Sequence, residues 1–163
     1  MGVTVIDNFL PDDEFKILQE NVISNKFPVY IQNYITKNTE IQSIKNVSFV
    51  HTIYRNDIPI SPYYEMINQI LFSKLEMCSL IRSKVNCYPR TDEIVEHDWH
   101  TDFPYKHKGA LFYLNTCNGK TRFHKDTVKS QENRIVFFDS SKPHASTSCT
   151  DQKCRWNINV NYF

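Results

Sequence analysis

From Ile81 to the C-terminus the chain reads as short β-rich runs cut by turn residues, a grammar that leaves room for few folds. Ile81 to Tyr88 is one run, stopped by Pro89, and His97 to Asp102 is the next, stopped by Pro104. Ala110 to Leu114, Lys120 to His124, Thr127 to Lys129, Arg134 to Phe138 and Arg155 to Phe163 complete the set. Asn118-Gly119 is the pair favoured in hairpin loops, so a hairpin is expected between the third and fourth runs. Ser140-Ser141-Lys142-Pro143 is a turn, and His144 follows directly. Strands this short and closely spaced argue an antiparallel double sheet. The last run alternates cleanly, with Trp156, Ile158, Val160 and Tyr162 on one face and Arg155, Asn157, Asn159 and Asn161 on the other. A polar face of this kind ordinarily meets solvent. Here it also suits the inside of a jelly roll that holds a charged ligand, with the apolar face under a helical cover.

The first half supplies that cover. Val3 to Asp7 reads as a short strand, and Pro11-Asp12-Asp13-Glu14 as a helix start, with proline at the first helical position and acids over the positive end of the dipole. Phe15, Leu18, Val22 and Ile23 fall on one face of the helix that follows. Ser48 to Tyr54 is a strand rich in β-formers, and Ser61-Pro62 restates the helix start. Tyr63, Met66, Ile67, Ile70, Leu71 and Leu75 then keep the helical spacing. Between Phe27 and Val47 the pattern is irregular: Tyr30-Ile31 and Tyr34-Ile35 suit strand, Lys37-Asn38-Thr39 a turn. The expected fold is mostly β with N-terminal helices, a double-stranded β-helix or jelly roll. It is expected to form a single domain over residues 1–163, with 1–80 as helical support and outer strands and 81–163 as the core that carries the site.

Composition narrows the partners. At 163 residues the chain can bury a real core without disulfides. Nineteen Lys and Arg against eighteen Asp and Glu leave a net charge of +1, so bulk electrostatics disfavours a nucleic-acid partner. Cys78, Cys87, Cys117, Cys149 and Cys154 are odd in number and contain no CxxC pair, which suggests reduced thiols and a cytoplasmic setting. No window approaches the roughly eighteen apolar residues of a membrane span. Ile6 stands where a myristoylation signal wants Ser or Thr, so no membrane partner is expected.

The chemistry gathers in the second half. A lone histidine is more often a surface or hydrogen-bonded core residue than a metal ligand, so each of the six needs a partner. His100 has Asp102 two positions on, which an extended backbone places on the same face. His144 follows after enough chain to circle a jelly roll and return beside them. Two imidazoles and one carboxylate on one face of Fe(II) leave positions open, the arrangement of non-haem iron oxygenases. Zinc with three protein ligands and a water is the competing metal. His97 and Asp98 repeat the ligand pair at a shifted register and are read as neighbours or surface, while Trp99, Phe103 and Tyr105 suit packing or a substrate mouth. His107, His124 and Arg122 are expected at the solvent. A zinc site from Cys149, Cys154 and a histidine lacks the second Cys pair and is disfavoured.

His100-Thr101-Asp102, then His144, then Arg155 eleven positions later, resembles in its order the pattern of the 2-oxoglutarate and Fe(II)-dependent dioxygenases, over about residues 81 to 163. The resemblance implies that His100, Asp102 and His144 ligate iron and form the catalytic centre. It further implies that 2-oxoglutarate chelates through its keto oxygen and adjacent carboxylate, with one position left for O₂. Arg155 would take the far carboxylate, for which a guanidinium fork is matched. Asn157 stands where many relatives place a serine and would donate from its amide. Asn86-Cys87-Tyr88 is similar to the Asn-x-Tyr of the branch that demethylates alkylated bases, which implies Asn86 near the metal-bound end and Tyr88 at the far carboxylate. That branch carries a second arginine where this chain has Asn161, a departure that weakens a base-demethylase reading. Val5 to Leu10 and Asn133 to Asp139 resemble small hydroxylases of the prolyl-hydroxylase-like group, often found in phage and bacterial genomes.

The implied activity is hydroxylation of a small-molecule or side-chain substrate, with formation of succinate and CO₂. The rival is a non-catalytic cupin-like or lectin-like jelly roll that keeps a metal or ligand site. A binding module has no need of an arginine held for a dicarboxylate, which sets Arg155 against it.

Overall fold

The alternation along the last strand governs the architecture found in the computed structural model, which describes residues 2–32 and 47–163. In chain order the elements are β1 (Thr4–Ile6), α1 (Asp12–Val22), β2 (Tyr30–Gln32), β3 (Ser48–Arg55), β4 (Ile58–Pro59) and α2 (Tyr64–Ile70). A 3₁₀ turn over Phe72–Lys74 leads into β5 (Leu80–Pro89), β6 (Lys108–Tyr113), β7 (Lys120–Phe123), β8 (Thr127–Lys129), β9 (Arg134–Asp139), β10 (His144–Ser146) and β11 (Cys154–Tyr162). The readings at Tyr34-Ile35 and Lys37-Asn38-Thr39 lie outside the described residues.

Two antiparallel sheets face each other. The larger has the order β1-β9-β6-β11-β5-β3-β2, with β4 paired to β3, and the smaller the order β10-β7-β8. The central strand β11 sets Arg155 opposite Tyr88, Asn157 opposite Asn86, Asn159 opposite Lys84 and Asn161 opposite Arg82. Because side chains alternate, these two polar rows share the inner face of the large sheet. The outer face is apolar. Ile158, Val160 and Tyr162 join Val85, Ala110 and Phe112 in one core with Phe15, Leu18 and Val22 of α1 and Ile67 of α2. Phe15 meets Phe112 edge-on at 6.0 Å, and Leu18 is fully buried, a burial that contributes about 1.5–3 kcal/mol. A second cluster, Leu111, Tyr113, Phe123, Val128, Val136 and Phe138, packs between the sheets.

Several elements differ from the sequence expectation. α1 stops at Val22, and Ile23 leaves the helical conformation (φ −89°, ψ 58°), which takes its side chain off the buried face. α2 is only seven residues long, and the tighter 3₁₀ turn after it adds Phe72 to the core beside Leu71 and Leu75. Asn118-Gly119 makes no hairpin, because β6 belongs to the large sheet and β7 to the small one, and no glycine has a positive φ. A Cβ at Gly119 would lie 2.6 Å from Arg155 Cδ and 2.7 Å from the Ser148 carbonyl oxygen, so this glycine serves close approach. The two-residue turn of positive φ is instead Asn56-Asp57 (54° and 61°), which joins β3 to β4.

His97 to Asp102 forms no regular strand. The segment touches the small sheet at two isolated bridges, Glu96 opposite Thr147 and His100 opposite His144. One side advances four residues while the other advances three, and the extra residue bows the chain out as a bulge does. Among the described residues no helix is long and apolar enough to cross a membrane.

Candidate metal centre

The three candidate ligands are assembled by backbone pairing. His100 N–H donates to the His144 carbonyl (3.0 Å) and His144 N–H to the His100 carbonyl (2.9 Å), while Asp102 N–H donates to the Ser140 carbonyl (3.2 Å). The two imidazole centroids stand 4.6 Å apart, and the ligand atoms of His100, Asp102 and His144 all lie within 4.8 Å of one another. His144 Nδ1 faces the Lys142 carbonyl at 3.0 Å and His100 Nδ1 the Asp98 carbonyl at 3.4 Å. A carbonyl only accepts, so each Nδ1 carries the proton and each Nε2 lone pair is left for a metal. Burial, and then the neighbouring His144, lower the pKa of His100 to about 4. The ring is therefore neutral near neutrality, the state a ligand needs.

Asp102 is held ionised. Arg82 Nη2 donates to its Oδ1 (2.6 Å), and Ser140 Oγ (2.6 Å), Asn161 Nδ2 (2.9 Å) and Asn159 Nδ2 (3.3 Å) donate to its Oδ2. Burial alone would raise its pKa, but Arg82 foremost, then His144, Lys84 and the Ser140 hydroxyl hold it well below the usual carboxylate range. Arg82 is itself braced over the Phe103 ring at 4.7 Å.

Beyond the ligands along β11 lies Arg155, with no exposed surface. Its guanidinium lies between the rings of Tyr88 and Tyr113, 5.4 Å from each. Nη2 donates to Thr121 Oγ1 (2.7 Å), which also accepts from the Tyr113 hydroxyl (2.8 Å), and Nη1 reaches the Thr147 carbonyl at 3.4 Å. Nε is buried without a partner. Among the described residues no carboxylate pairs with Arg155, and a buried cation in that state calls for an anion. The cleft that joins Arg155 to the histidines measures about 410 Å³ counting the part open to solvent, and Lys84, Asn86, Tyr88 and Asn157 line it.

The structure brings together His100, Asp102 and His144 on one side of the cleft and Arg155 with Tyr88 on the other. Asn86 and Asn157 lie between, tied to each other by Asn86 Nδ2 to Asn157 Oδ1 (2.9 Å). Tyr113, Thr121, Ser140, Arg82 and Lys84 were missed from the sequence. The signal for Arg82 and Lys84 was available, since stepping back by two from Tyr88 and Asn86 along β5 reaches both. Tyr113 and Thr121 gave none, because strands of different sheets bring them to Arg155.

Expectations of solvent exposure failed at two positions. His107 is buried at 4% exposure, with Nδ1 donating to the Tyr105 carbonyl (2.8 Å). Arg122 is mostly covered, because it pairs with Glu96, donates to the His97 carbonyl (2.9 Å) and lies over Trp99. It thereby staples the bowed segment to β7. His124 is exposed, and Phe103 and Tyr105 stack on each other at 5.4 Å. Among the described residues Cys149 and Cys154 assemble no site with a histidine: Cys149 sits by Cys117 and Asp151, and Cys154 by Cys87.

His97 is buried beside the site, with Nδ1 on Ser146 Oγ (2.6 Å) and its ring 5.3 Å from Tyr88. Burial, then Arg155 and Arg122, push its pKa down from 6.5 to about 3. Between those values the unfolded chain takes up a proton that the folded chain refuses. Stability is thus full above about pH 6.5 and declines as pH falls, by up to about 1.4 kcal/mol per pH unit from this group. His97→Gln, able to keep the Ser146 bond, is expected to flatten the dependence between about pH 6.5 and 4.5. Urea titrations of the metal-free protein check this, and an unchanged slope rejects it.

Scanned as a sequence, the chain matches no family model and no curated protein. Solved structures do match. A prolyl hydroxylase from Trichoplax adhaerens, in complex with a hypoxia inducible factor oxygen degradation domain peptide fragment, aligns with a TM-score of 0.66 at 19% identity, over 99% of this chain and 83% of that one. A Pseudomonas putida prolyl-4-hydroxylase gives 0.62 at 15%, over 99% and 92%. An oxidoreductase of the 2OG-Fe(II) oxygenase family from Burkholderia pseudomallei gives 0.68 at 9%, over 99% and 85%. At these identities the likeness is one of fold, and it spans nearly the whole chain. The chain thus has the double-stranded β-helix fold of the prolyl hydroxylases and other 2-oxoglutarate and Fe(II)-dependent oxygenases.

Proposed function

We propose that this protein is an Fe(II)- and 2-oxoglutarate-dependent oxygenase that hydroxylates its substrate, with His100, Asp102 and His144 as iron ligands and Arg155 as the anchor of the far carboxylate of 2-oxoglutarate. The observation that carries the reading is a fully buried arginine with no carboxylate among the described residues, facing a His-Asp-His cluster across one cleft. Zinc would satisfy the cluster equally well, but it gives Arg155 no purpose.

When bound, the iron and 2-oxoglutarate supply the oxidation: O₂ and 2-oxoglutarate are consumed, and succinate, CO₂ and hydroxylated substrate leave. The chain's own residues bind and orient. Tyr88 and Tyr113 hold the guanidinium flat, Thr121 fixes one of its edges, and Asn157 and Asn86 offer amides along the carbon chain. Arg82, Ser140 and Asn161 fix the Asp102 carboxylate, and the carbonyls of Lys142 and Asp98 set the histidine tautomers. Side-chain hydroxylation is supported by the names of two similar structures, both prolyl hydroxylases. One domain over 1–163 is supported by alignments that span 99% of the chain. Five free cysteines suit a reducing compartment such as the cytoplasm.

Anaerobic Fe(II) protein titrated with 2-oxoglutarate tests the reading. A visible charge-transfer band and substrate-free conversion to succinate in air are expected. Zinc retained through dialysis, with neither band nor succinate, would leave the non-catalytic binding module.

A further inference from the structure

The inner face of β5 carries Arg82, Lys84, Asn86 and Tyr88, and three of the four are engaged. Arg82 pairs with Asp102, Asn86 donates to Asn157, and Tyr88 lies against Arg155. Lys84 lines the cleft and makes no hydrogen bond or ion pair among the described residues. Opposite it on β11, Asn159 spends its amide nitrogen on Asp102 while its Oδ1 is buried without a partner. An unmatched cation and an unmatched acceptor therefore stand on the same rung of the sheet.

Their place excludes the far end of 2-oxoglutarate. Arg155 and Asn159 are four residues apart on β11, about 14 Å between Cα atoms at roughly 3.4 Å per residue, so a carboxylate held at Arg155 stands away from this rung. Charge points the same way. This step rests on the oxygenase reading: with Fe(II) bound, the metal and Arg82, Lys84 and Arg155 carry five positive charges. Asp102 and the two carboxylates of 2-oxoglutarate carry three negative ones. Two positive charges remain in a water-poor cleft, and Lys84 feels only the Asp102 charge, which Arg82 already pairs. Burial, and then Arg82, lower the pKa of Lys84 to about 8.

We propose that Lys84 and Asn159 form the substrate subsite, and that the substrate carries a free carboxylate, held by Lys84, beside an N–H or O–H that donates to Asn159 Oδ1. The class that fits is an amino acid or N-acylated amino acid with its carboxylate free. Neutral metabolites and residues internal to a peptide leave Lys84 unmatched.

The test uses the full chain loaded with Zn(II) and 2-oxoglutarate, and a panel of N-acetyl amino acids, each as the free acid and as the primary amide, followed by saturation-transfer NMR. At least one acid is expected to bind about tenfold or more tightly than its amide, as a charged hydrogen bond allows. Lys84→Met should remove that preference and Lys84→Arg restore part of it. The 2-oxoglutarate titration of anaerobic Fe(II) protein, read in both variants, should change by much less than the preference for acid over amide. Acids and amides that bind alike, a panel with no binder, or a Lys84→Met variant that loses 2-oxoglutarate in parallel overturns the proposal. If the unaltered protein gives no 2-oxoglutarate band, the oxygenase reading itself has failed, and this proposal with it.

Discussion

Arg155→Ala is expected to weaken 2-oxoglutarate binding by about two to three orders of magnitude while iron affinity stays within a few-fold. The magnitude follows from the lower part, about 3–4 kcal/mol, of what removing one partner of a desolvated charge pair costs, or roughly 10² to 10³ in affinity. The selectivity follows from place, since Arg155 bonds Thr121 and Thr147 and touches none of the three ligands. Arg155→Lys should recover little, because an ammonium keeps the charge and loses both the planar fork and the fit between the Tyr88 and Tyr113 rings. The folded protein without ligand should tolerate the change better than burial suggests: the substitution costs a cavity but also removes a buried cation that has no carboxylate partner among the described residues. Separate titrations of metal and 2-oxoglutarate decide the matter, and a parallel loss of both would reject the role given to Arg155.

Asp102→Ala should be the most damaging change in the cluster, for two separable reasons. It removes one of three ligands, so iron should not survive dialysis. It also leaves Arg82 unpaired, with Ser140 Oγ and Asn161 Nδ2 deprived of their acceptor. Arg82 keeps some access to solvent, which puts the stability loss at about 2–4 kcal/mol, toward the lower part of what a broken buried pair costs. Adding Arg82→Met should return much of the lost stability, since the orphaned charge goes, and none of the metal binding. Chemical denaturation of the single and double variants, with metal analysis of each, separates the two effects. Full stability in Asp102→Ala alone would show that Arg82 finds another partner.

The sequence was most legible where a single strand carries the message. The alternation of β11 placed its apolar face under the helices and its polar face inward, because period two admits no other reading once both faces are buried. His100, Asp102 and His144, proposed as ligands from residue type and order, are brought within 4.8 Å of one another. What the sequence concealed lies across strands. Thr121 reaches Arg155 from the small sheet and Tyr113 from β6 beside β11, and no local pattern marks them. Asn118-Gly119 misled, since the glycine is there for the approach of Arg155 and not for a left-handed turn. His107 was placed at the solvent because polar type stands in poorly for burial when the ring packs against Phe103 and Tyr105 and meets Asn161.

The bowed segment from Glu96 to Asp102 has a consequence for how the protein moves. Arg155, Asn157 and Asn159 ride on a nine-residue strand paired along its length to β5 and from Asn157 onward to β6, whereas His100 hangs from an isolated bridge and Asp102 from a single backbone bond. Local opening at such a place takes far less free energy than melting the sheets. The centre can thus swing ajar on the His100 side while its floor stays rigid, and an ion bound there would act as the clasp. Amide exchange at His100 should slow markedly when metal is added, and exchange along β11 should barely change.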